Sequence, residues 1–292
     1  MEYDMPLFRP PSEARSLIFQ VTLGCSWNKC LFCAMYKTKN FLVRPFEEVA
    51  KDIMEMSRRY PGTKKIFLAD GDALAAPTDF LIRVLDLMNL RFPSLERIST
   101  YAGPTNLKDK TLDELKMFRQ RKLDVLYLGI ETGNDELLKK IKKGSKAEQI
   151  IELSRKAIDA GLRMSTFIIL GLGGLDGSYV HAKDSARVVN GIDPQFLATL
   201  TLMLGQYEKV YEEKIMGGGF KLIDMRQSLQ ELRWFMEDLK LTKCKFGSEH
   251  ASNYLPISGN LPQDKEQILL LIDRALKDTS SGMLRPEWAR GL

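Results

Sequence analysis

The sequence contains no run of about 18 apolar residues, the length a membrane-spanning helix needs, so no spanning helix is expected. The first residues, Met1-Glu2-Tyr3-Asp4, are acidic and lack the apolar core of an export signal, which implies a cytoplasmic protein. An excess of one charge is missing too. Against 38 acidic residues stand 43 basic ones, a formal balance of +5 that does not by itself call for nucleic acid and is compatible with anionic small molecules. No low-complexity tract and no strong linker divides the 292 residues. Cysteine is scarce: there are four, and only Cys244 lies outside the segment 25–33. Such crowding excludes a disulfide framework and points to a metal site in a reducing compartment.

What is present suits one large α/β domain with an appended C-terminal segment. At 44% hydrophobic and 28% charged, the chain has apolar residues enough for a full core. Six β-type runs alternate with amphipathic stretches: Ser16–Leu23, Lys65–Ala69, Arg97–Tyr101, Val125–Ile130, Met164–Leu170 and Phe196–Met203. Their starts lie roughly 30 to 50 residues apart, the spacing of repeated βα units. Consecutive apolar positions, as in Thr166-Phe167-Ile168-Ile169-Leu170, read as parallel strands buried on both faces.

Between the strands, Pro45–Arg59 sets Phe46, Val49, Ile53 and Met56 on one helical face. Thr111 with Glu114, and Ser145 with Glu148, form capping-box patterns. Gly161 stands where a helix should stop. The expected fold is therefore a partial, six-stranded βα TIM-like barrel with a helical C-terminal extension. Residues 1–15 form an N-terminal extension, 16–205 the barrel core, and 206–292 the extension that covers it. Within that tail, Gly217-Gly218-Gly219 marks a turn, and Asp224–Lys240 and Pro262–Lys277 read as helices. In barrels of this kind the working residues sit at the C-terminal ends of the strands.

Directly after the first strand comes Gly24-Cys25-Ser26-Trp27-Asn28-Lys29-Cys30-Leu31-Phe32-Cys33, a C-x4-C-x2-C loop. Thiolates are the usual ligands of iron–sulfur clusters. Three of them on a 4Fe-4S cube leave one iron open to a chelating substrate. A structural zinc ion is the plainer alternative. It would need a fourth ligand from Cys244, His181 or His250, all distant and none in a paired motif.

Here the sequence resembles the radical S-adenosylmethionine superfamily, and within it the coproporphyrinogen-oxidase-like and elongator-like branch. The usual motif there is C-x3-C-x2-C with an aromatic residue before the last cysteine. Phe32 stands in that place, and this chain has one residue more between the first two cysteines. The resemblance covers roughly residues 16–205. It implies that Cys25, Cys30 and Cys33 hold a 4Fe-4S cluster. It implies that Asp70-Gly71-Asp72, after the second strand, faces the amino group of S-adenosylmethionine. Glu131, ending the fourth strand, would face the ribose hydroxyls, and Lys143 the methionine carboxylate. Gly171, after the fifth strand, would lie near adenine and methionine. Tyr101 stands where relatives place a glutamate, and is expected to face the cofactor or to join the core. Asn134 or Asp135 is expected to cap the helix that follows Glu131.

The resemblance further implies reductive cleavage of S-adenosylmethionine to a 5′-deoxyadenosyl radical, which abstracts hydrogen from a small or medium-sized metabolite. An external one-electron reductant such as a flavodoxin or ferredoxin is implied as partner. With only Cys244 left over, a second cluster with a full cysteine set cannot be built, which weighs against methylthiotransferases. No appended nucleic-acid module is evident, and no cobalamin-binding Asp-x-His-x-x-Gly pattern. In the tail, His250 and Tyr254 are candidates for proton or hydrogen-atom transfer. A rival class is a non-catalytic electron-transfer or sensing protein, which would need neither Asp70–Asp72 nor Glu131.

Overall fold

The computed structural model describes residues 1–205, 208–215, 217–280 and 282–291. All six expected strands form: β1 (Leu17–Gln20), β2 (Lys65–Ala69), β3 (Arg97–Tyr101), β4 (Leu123–Glu131), β5 (Arg163–Leu170) and β6 (Phe196–Thr201). They follow one another through one sheet in chain order. The pairs β1–β2, β2–β3, β3–β4 and β5–β6 are parallel. Parallel neighbours need a crossover, and helices supply it. These are α1 (Phe46–Arg59), α2 (Thr78–Arg91), α3 (Pro104–Lys108), α4 (Leu112–Gln120), α5 (Asp135–Lys140), α6 (Ala147–Asp159) and α7 (Gly174–Ile192). The order starts at β1 and ends elsewhere, so the sheet is an open, partial barrel.

Its far end holds two strands that sequence patterning does not announce. β7 (Cys244–Gly247) pairs parallel to β6, and β8 (Ser258–Leu261) pairs antiparallel to β7. The tail is thus not purely helical. The helices expected there are present as α8 (Met225–Asp238) and α9 (Lys265–Lys277).

The chain divides into two compact units. The first holds residues Met1–Leu128 and Leu153–Met164. Here α1 buries Val49, Ile53 and Met56, as its apolar spacing requires. Thr111 and Glu114 form the expected box on α4: the Glu114 amide donates to the Thr111 hydroxyl at 3.2 Å, and the Thr111 amide to the Glu114 carboxylate at 2.7 Å. α6 stops at Gly161, whose φ of +84° suits glycine. The Gly161 amide bonds the Ile158 carbonyl and the Leu162 amide the Ala157 carbonyl, the paired closure of a left-handed helix end. The N-terminal segment is tied down by Glu13, wholly buried, whose carboxylate accepts from Arg97 and from the Tyr127 hydroxyl, both at 2.7 Å.

The second unit holds Gly129–Glu152 and Ser165–Leu292. Its helix α8 packs on α7 and α9. Asp224 caps α8 by accepting from the Gln227 amide at 2.7 Å, and Asn134 caps α5 by accepting from the Leu137 amide at 3.0 Å. Among the described residues no helix is long and apolar enough to cross a membrane.

Candidate active site

In the first unit the C-x4-C-x2-C segment leaves the tip of β1 as a loop, with Cys25, Cys30, Cys33 and Phe32 all half-buried. The end of β2 clasps it. The Gly71 amide donates to the Gly24 carbonyl at 2.8 Å. A Cβ at position 71 would stand 2.4 Å from the Cys25 Cβ, so only glycine admits this approach.

Asp70 is fully buried at φ +66°, and its carboxylate accepts from the Gly24 amide (2.8 Å), Gln20 Nε2 (3.0 Å) and Lys39 Nζ (3.0 Å). Gly24 opens the loop and Lys39 closes it, so one carboxylate pins both ends. Asp72 accepts from the Ser26 amide at 3.1 Å, the Ser26 hydroxyl at 2.5 Å and Asn106 Nδ2 at 2.8 Å. Burial pushes the Asp72 carboxyl above its usual range against the pull of these bonds. Asp70 and Asp72 were expected to face an ammonium group. In the structure both carboxylates also accept from protein donors that hold the cysteine loop. Tyr101 packs edge-on against Phe67 (centroids 5.2 Å) and Tyr127 (6.2 Å).

The chemistry of this loop fits an iron–sulfur cluster. It offers three thiols on one short segment, the donor set such clusters take. Among the described residues no three His, Cys, Asp or Glu side chains stand close enough to share a single metal ion. A cubane cluster does not need them to, because its thiolates sit on separate irons.

In the second unit, β4 ends at Glu131, which is buried and holds φ at +68°. Its Oε1 takes Lys143 Nζ at 2.8 Å. Its Oε2 is buried without a hydrogen-bond partner among the described residues. A buried carboxylate oxygen left unsatisfied costs on the order of 1–3 kcal/mol or more, so it marks a position awaiting a donor. Two vicinal hydroxyls are one kind of group that would supply it. Lys143, expected to face a carboxylate of the ligand, is paired with Glu131. Gly129 makes room for this arrangement: a Cβ there would lie 2.0 Å from Glu131 Oε1 and 2.8 Å from the Phe167 Cζ. Gly171, at φ +84°, is pressed by Ile223, which a Cβ would meet at 2.8 Å.

Beneath these strand tips lies a buried network that sequence reading does not single out. The Gly171 amide donates to Glu231 Oε1 at 2.7 Å, and the Ser178 hydroxyl donates to Glu231 Oε2. His181 Nε2 meets the Ile169 carbonyl at 3.0 Å, and a carbonyl only accepts, so Nε2 carries the proton. Nδ1 then accepts from the Thr132 hydroxyl at 2.8 Å. The network thus locks the residue after Glu131 and the backbone of Gly171 to helices α7 and α8. The available signal is periodicity: Ser228, Glu231, Leu232 and Phe235 share the buried stripe of α8, which leaves a glutamate on a core face.

Burial drives the two titrating groups apart. It pushes the Glu231 carboxyl up from 4.5 to about 7 and the His181 imidazole down from 6.5 to about 4. Folded, Glu231 keeps a proton that the unfolded chain has lost, so its contribution makes stability fall as pH rises from 4.5 to about 7. Folded, His181 lacks a proton that the unfolded chain holds, so its contribution makes stability rise between about 4 and 6.5. Where the windows overlap the two slopes cancel. Glu231→Gln keeps an acceptor for Gly171 but removes one of the slopes. Its stability in urea should climb by about 1.4 kcal/mol per pH unit relative to wild type between pH 5 and 6.5. Parallel stability curves for the two proteins would refute this account.

His250 and Tyr254 lie on the loop between β7 and β8. His250 Nδ1 bonds the Ser252 hydroxyl at 2.8 Å, and burial, with Arg285 nearby, lowers its pKa. The Tyr254 hydroxyl donates to Glu287 at 2.7 Å and accepts from Arg290 at 2.5 Å, and burial pushes its pKa up to about 12. Tyr254 thus ties down the end of the chain, while His250 closes a turn onto Ser252. Cys244 is buried in β7, its thiol pushed up to about 12 by burial and then by Asp193.

A parallel, open βα sheet with a three-cysteine loop at the tip of its first strand defines a partial TIM-type barrel of the cluster-binding kind. The model of the radical SAM superfamily matches residues 19–183, and the chain belongs to that superfamily, whose cofactors are a 4Fe-4S cluster and S-adenosylmethionine. A Methanocaldococcus jannaschii protein named as a candidate methylthiotransferase is 26% identical over 201 residues, 63% of this chain and 43% of that one. The 4′-phospho-dehydrooxetanocin synthase of Priestia megaterium is 22% identical over 289 residues, 91% of this chain and 37% of that one. The chain therefore spans less than half the length of these two relatives. Among solved structures, coproporphyrinogen III oxidase of Escherichia coli superposes with a TM-score of 0.57 at 18% identity, over 76% of this chain and 51% of that one, which shows a shared fold.

Proposed function

We propose that the chain is a radical S-adenosylmethionine enzyme in which Cys25, Cys30 and Cys33 bind the 4Fe-4S cluster. The bound cluster supplies one electron and an open iron site, so that S-adenosylmethionine is cleaved to methionine and a 5′-deoxyadenosyl radical. The observation that carries the reading is the clasped cysteine loop, whose approach to β2 needs glycine at position 71. Asp70 and Asp72 fix the two ends and the start of that loop. Glu131 Oε2 accepts from the ribose, and Lys143 holds Glu131 in its strained backbone conformation. Gly171, its amide held by Glu231, lies near adenine and methionine in a fixed position. Phe32 shields the loop, and Tyr101 fills the wall beside β2. His250 and Tyr254 serve by ordering the β7–β8 loop.

The substrate in this reading is a small or medium-sized metabolite, and the electron comes from an external carrier such as a flavodoxin or ferredoxin. The test is anaerobic. The protein is reconstituted with iron and sulfide, reduced with dithionite and given S-adenosylmethionine, and 5′-deoxyadenosine and methionine are measured by mass spectrometry. Both products should appear with wild type and be absent with Cys30→Ala. A cluster that forms normally in Cys30→Ala would refute the ligand assignment. A loaded, reduced wild type that cleaves nothing would favour a non-catalytic electron-transfer protein.

A further inference from the structure

A tyrosine follows the cysteine motif at position 36, and the structure buries it, with 4% of its surface exposed. Its hydroxyl has no hydrogen-bond partner among the described residues. Leaving a buried hydroxyl unsatisfied costs about 1–3 kcal/mol, so each such group asks for a reason.

The side chain is not loose. Phe8 packs edge-on against its ring at 5.6 Å between centroids, and the Lys39 ammonium stands 5.8 Å from the ring centre. Its carbonyl accepts from Asn28 Nδ2 at 2.9 Å and from the Lys39 amide at 3.1 Å. The hydroxyl is therefore aimed by the fold. Asn28, which holds the Tyr36 carbonyl, donates its own amide to Cys25 Sγ at 3.5 Å, and Asp70, Tyr101, Cys33 and Cys25 are the polar groups nearest in influence to the phenol. Of these Asp70 is already saturated by Gln20, Gly24 and Lys39. Burial raises the phenol far above its ordinary pKa, so it stays protonated and offers a donor. Sulfur acceptors are supplied by the cysteine loop, to which Asn28 ties Tyr36.

We propose that the Tyr36 hydroxyl donates a hydrogen bond to a sulfur of the bound cluster, a cysteine thiolate or an inorganic sulfide, and so raises the cluster's reduction potential. The inference rests on the cluster assignment above and adds to it a tuning residue. A donor at sulfur withdraws electron density and stabilises the reduced, more negative cluster relative to the oxidised one. Removing it makes the cluster harder to reduce.

The test is Tyr36→Phe in the whole chain, which deletes one oxygen and keeps the ring contacts. Wild type and variant are reconstituted anaerobically, and iron and labile sulfide are counted. Midpoint potentials are then read by redox titration with electron paramagnetic resonance. Equal metal content and a more negative midpoint in the variant are expected. Equal content with an unchanged midpoint overturns the inference and leaves the cluster assignment standing. An unchanged midpoint with weakened S-adenosylmethionine binding also overturns it, since the hydroxyl would then serve that ligand. A wild type that takes up no cluster sinks the underlying assignment and this inference with it. Should Tyr36→Phe not load, 3-fluorotyrosine at position 36 keeps the shape and strengthens the donor. Its midpoint should move in the positive direction, and an unmoved midpoint overturns the inference.

Discussion

Gly71→Ala should leave the sheet folded and strip the chain of most of its affinity for iron. The new Cβ would stand 2.4 Å from Cys25 Cβ, 2.7 Å from Cys25 Cα and 3.0 Å from the Gly24 carbonyl oxygen. None of these is the end of a flexible side chain, so relief must come from backbone. β1 and β2 are held by a parallel ladder from Leu17–Ile66 to Gln20–Ala69, which makes the loop beyond Gln20 the part that yields. Overpacking of this kind costs about 1–3 kcal/mol, well within what a domain survives. The geometry of the first cysteine does not survive it, and disturbing the supports of a metal ligand costs about 10–100-fold in affinity. Iron and sulfide per chain after anaerobic reconstitution, beside a thermal melt, read both effects. A variant that loads as well as wild type would show that the Gly71–Cys25 approach is not needed.

The second large effect is expected at the tip of β4. Glu131→Ala removes the one buried carboxylate oxygen there that lacks a donor. A hydrogen bond to a charged group is worth about 2 kcal/mol, so the dissociation constant for S-adenosylmethionine should rise roughly 30-fold. Gly129→Ala should reproduce the loss while keeping every functional group. Its Cβ would come within 2.0 Å of Glu131 Oε1, and the Phe167 ring at 2.8 Å blocks retreat, so the carboxylate must leave Lys143. Equilibrium binding to the cluster-loaded proteins checks both. If both variants bind as wild type does, Glu131 does not face the ligand.

The strands that carry these residues were legible because their burial writes itself into the sequence. β4 is buried at all of its positions, and from Val125 to Ile130 it reads as a run without a charge that ends at a glutamate. β7 and β8 left no such trace. They are four residues each, and the exposed Lys245 and Asn260 face each other across them. Short strands with polar outward positions look like loop. The site was legible where the residue type itself is rare, as with three cysteines on one loop. It was not legible where a residue's partner lies far along the chain. Asp70 reads as an acid in a turn, and only the fold reveals that Gln20, Gly24 and Lys39 all donate to it. Glu231 and His181 fall on helices, where a polar residue is ordinarily at the surface. Their meeting at 3.5 Å, with no solvent exposure for either side chain, depends on how α7 and α8 pack.

The double grip of Asp70 on Gly24 and Lys39 bears on how the protein is made ready for iron. In many small metal-binding domains the apoprotein is a random chain, and the ion supplies the free energy of folding. Closing a flexible loop of this size costs about 2 kcal/mol in chain entropy. Here the Asp70 carboxylate closes it through two donors that are not cysteines, so this part of the closure draws on the protein and not on iron. The three thiols are thereby gathered on a loop whose two ends the chain itself ties together.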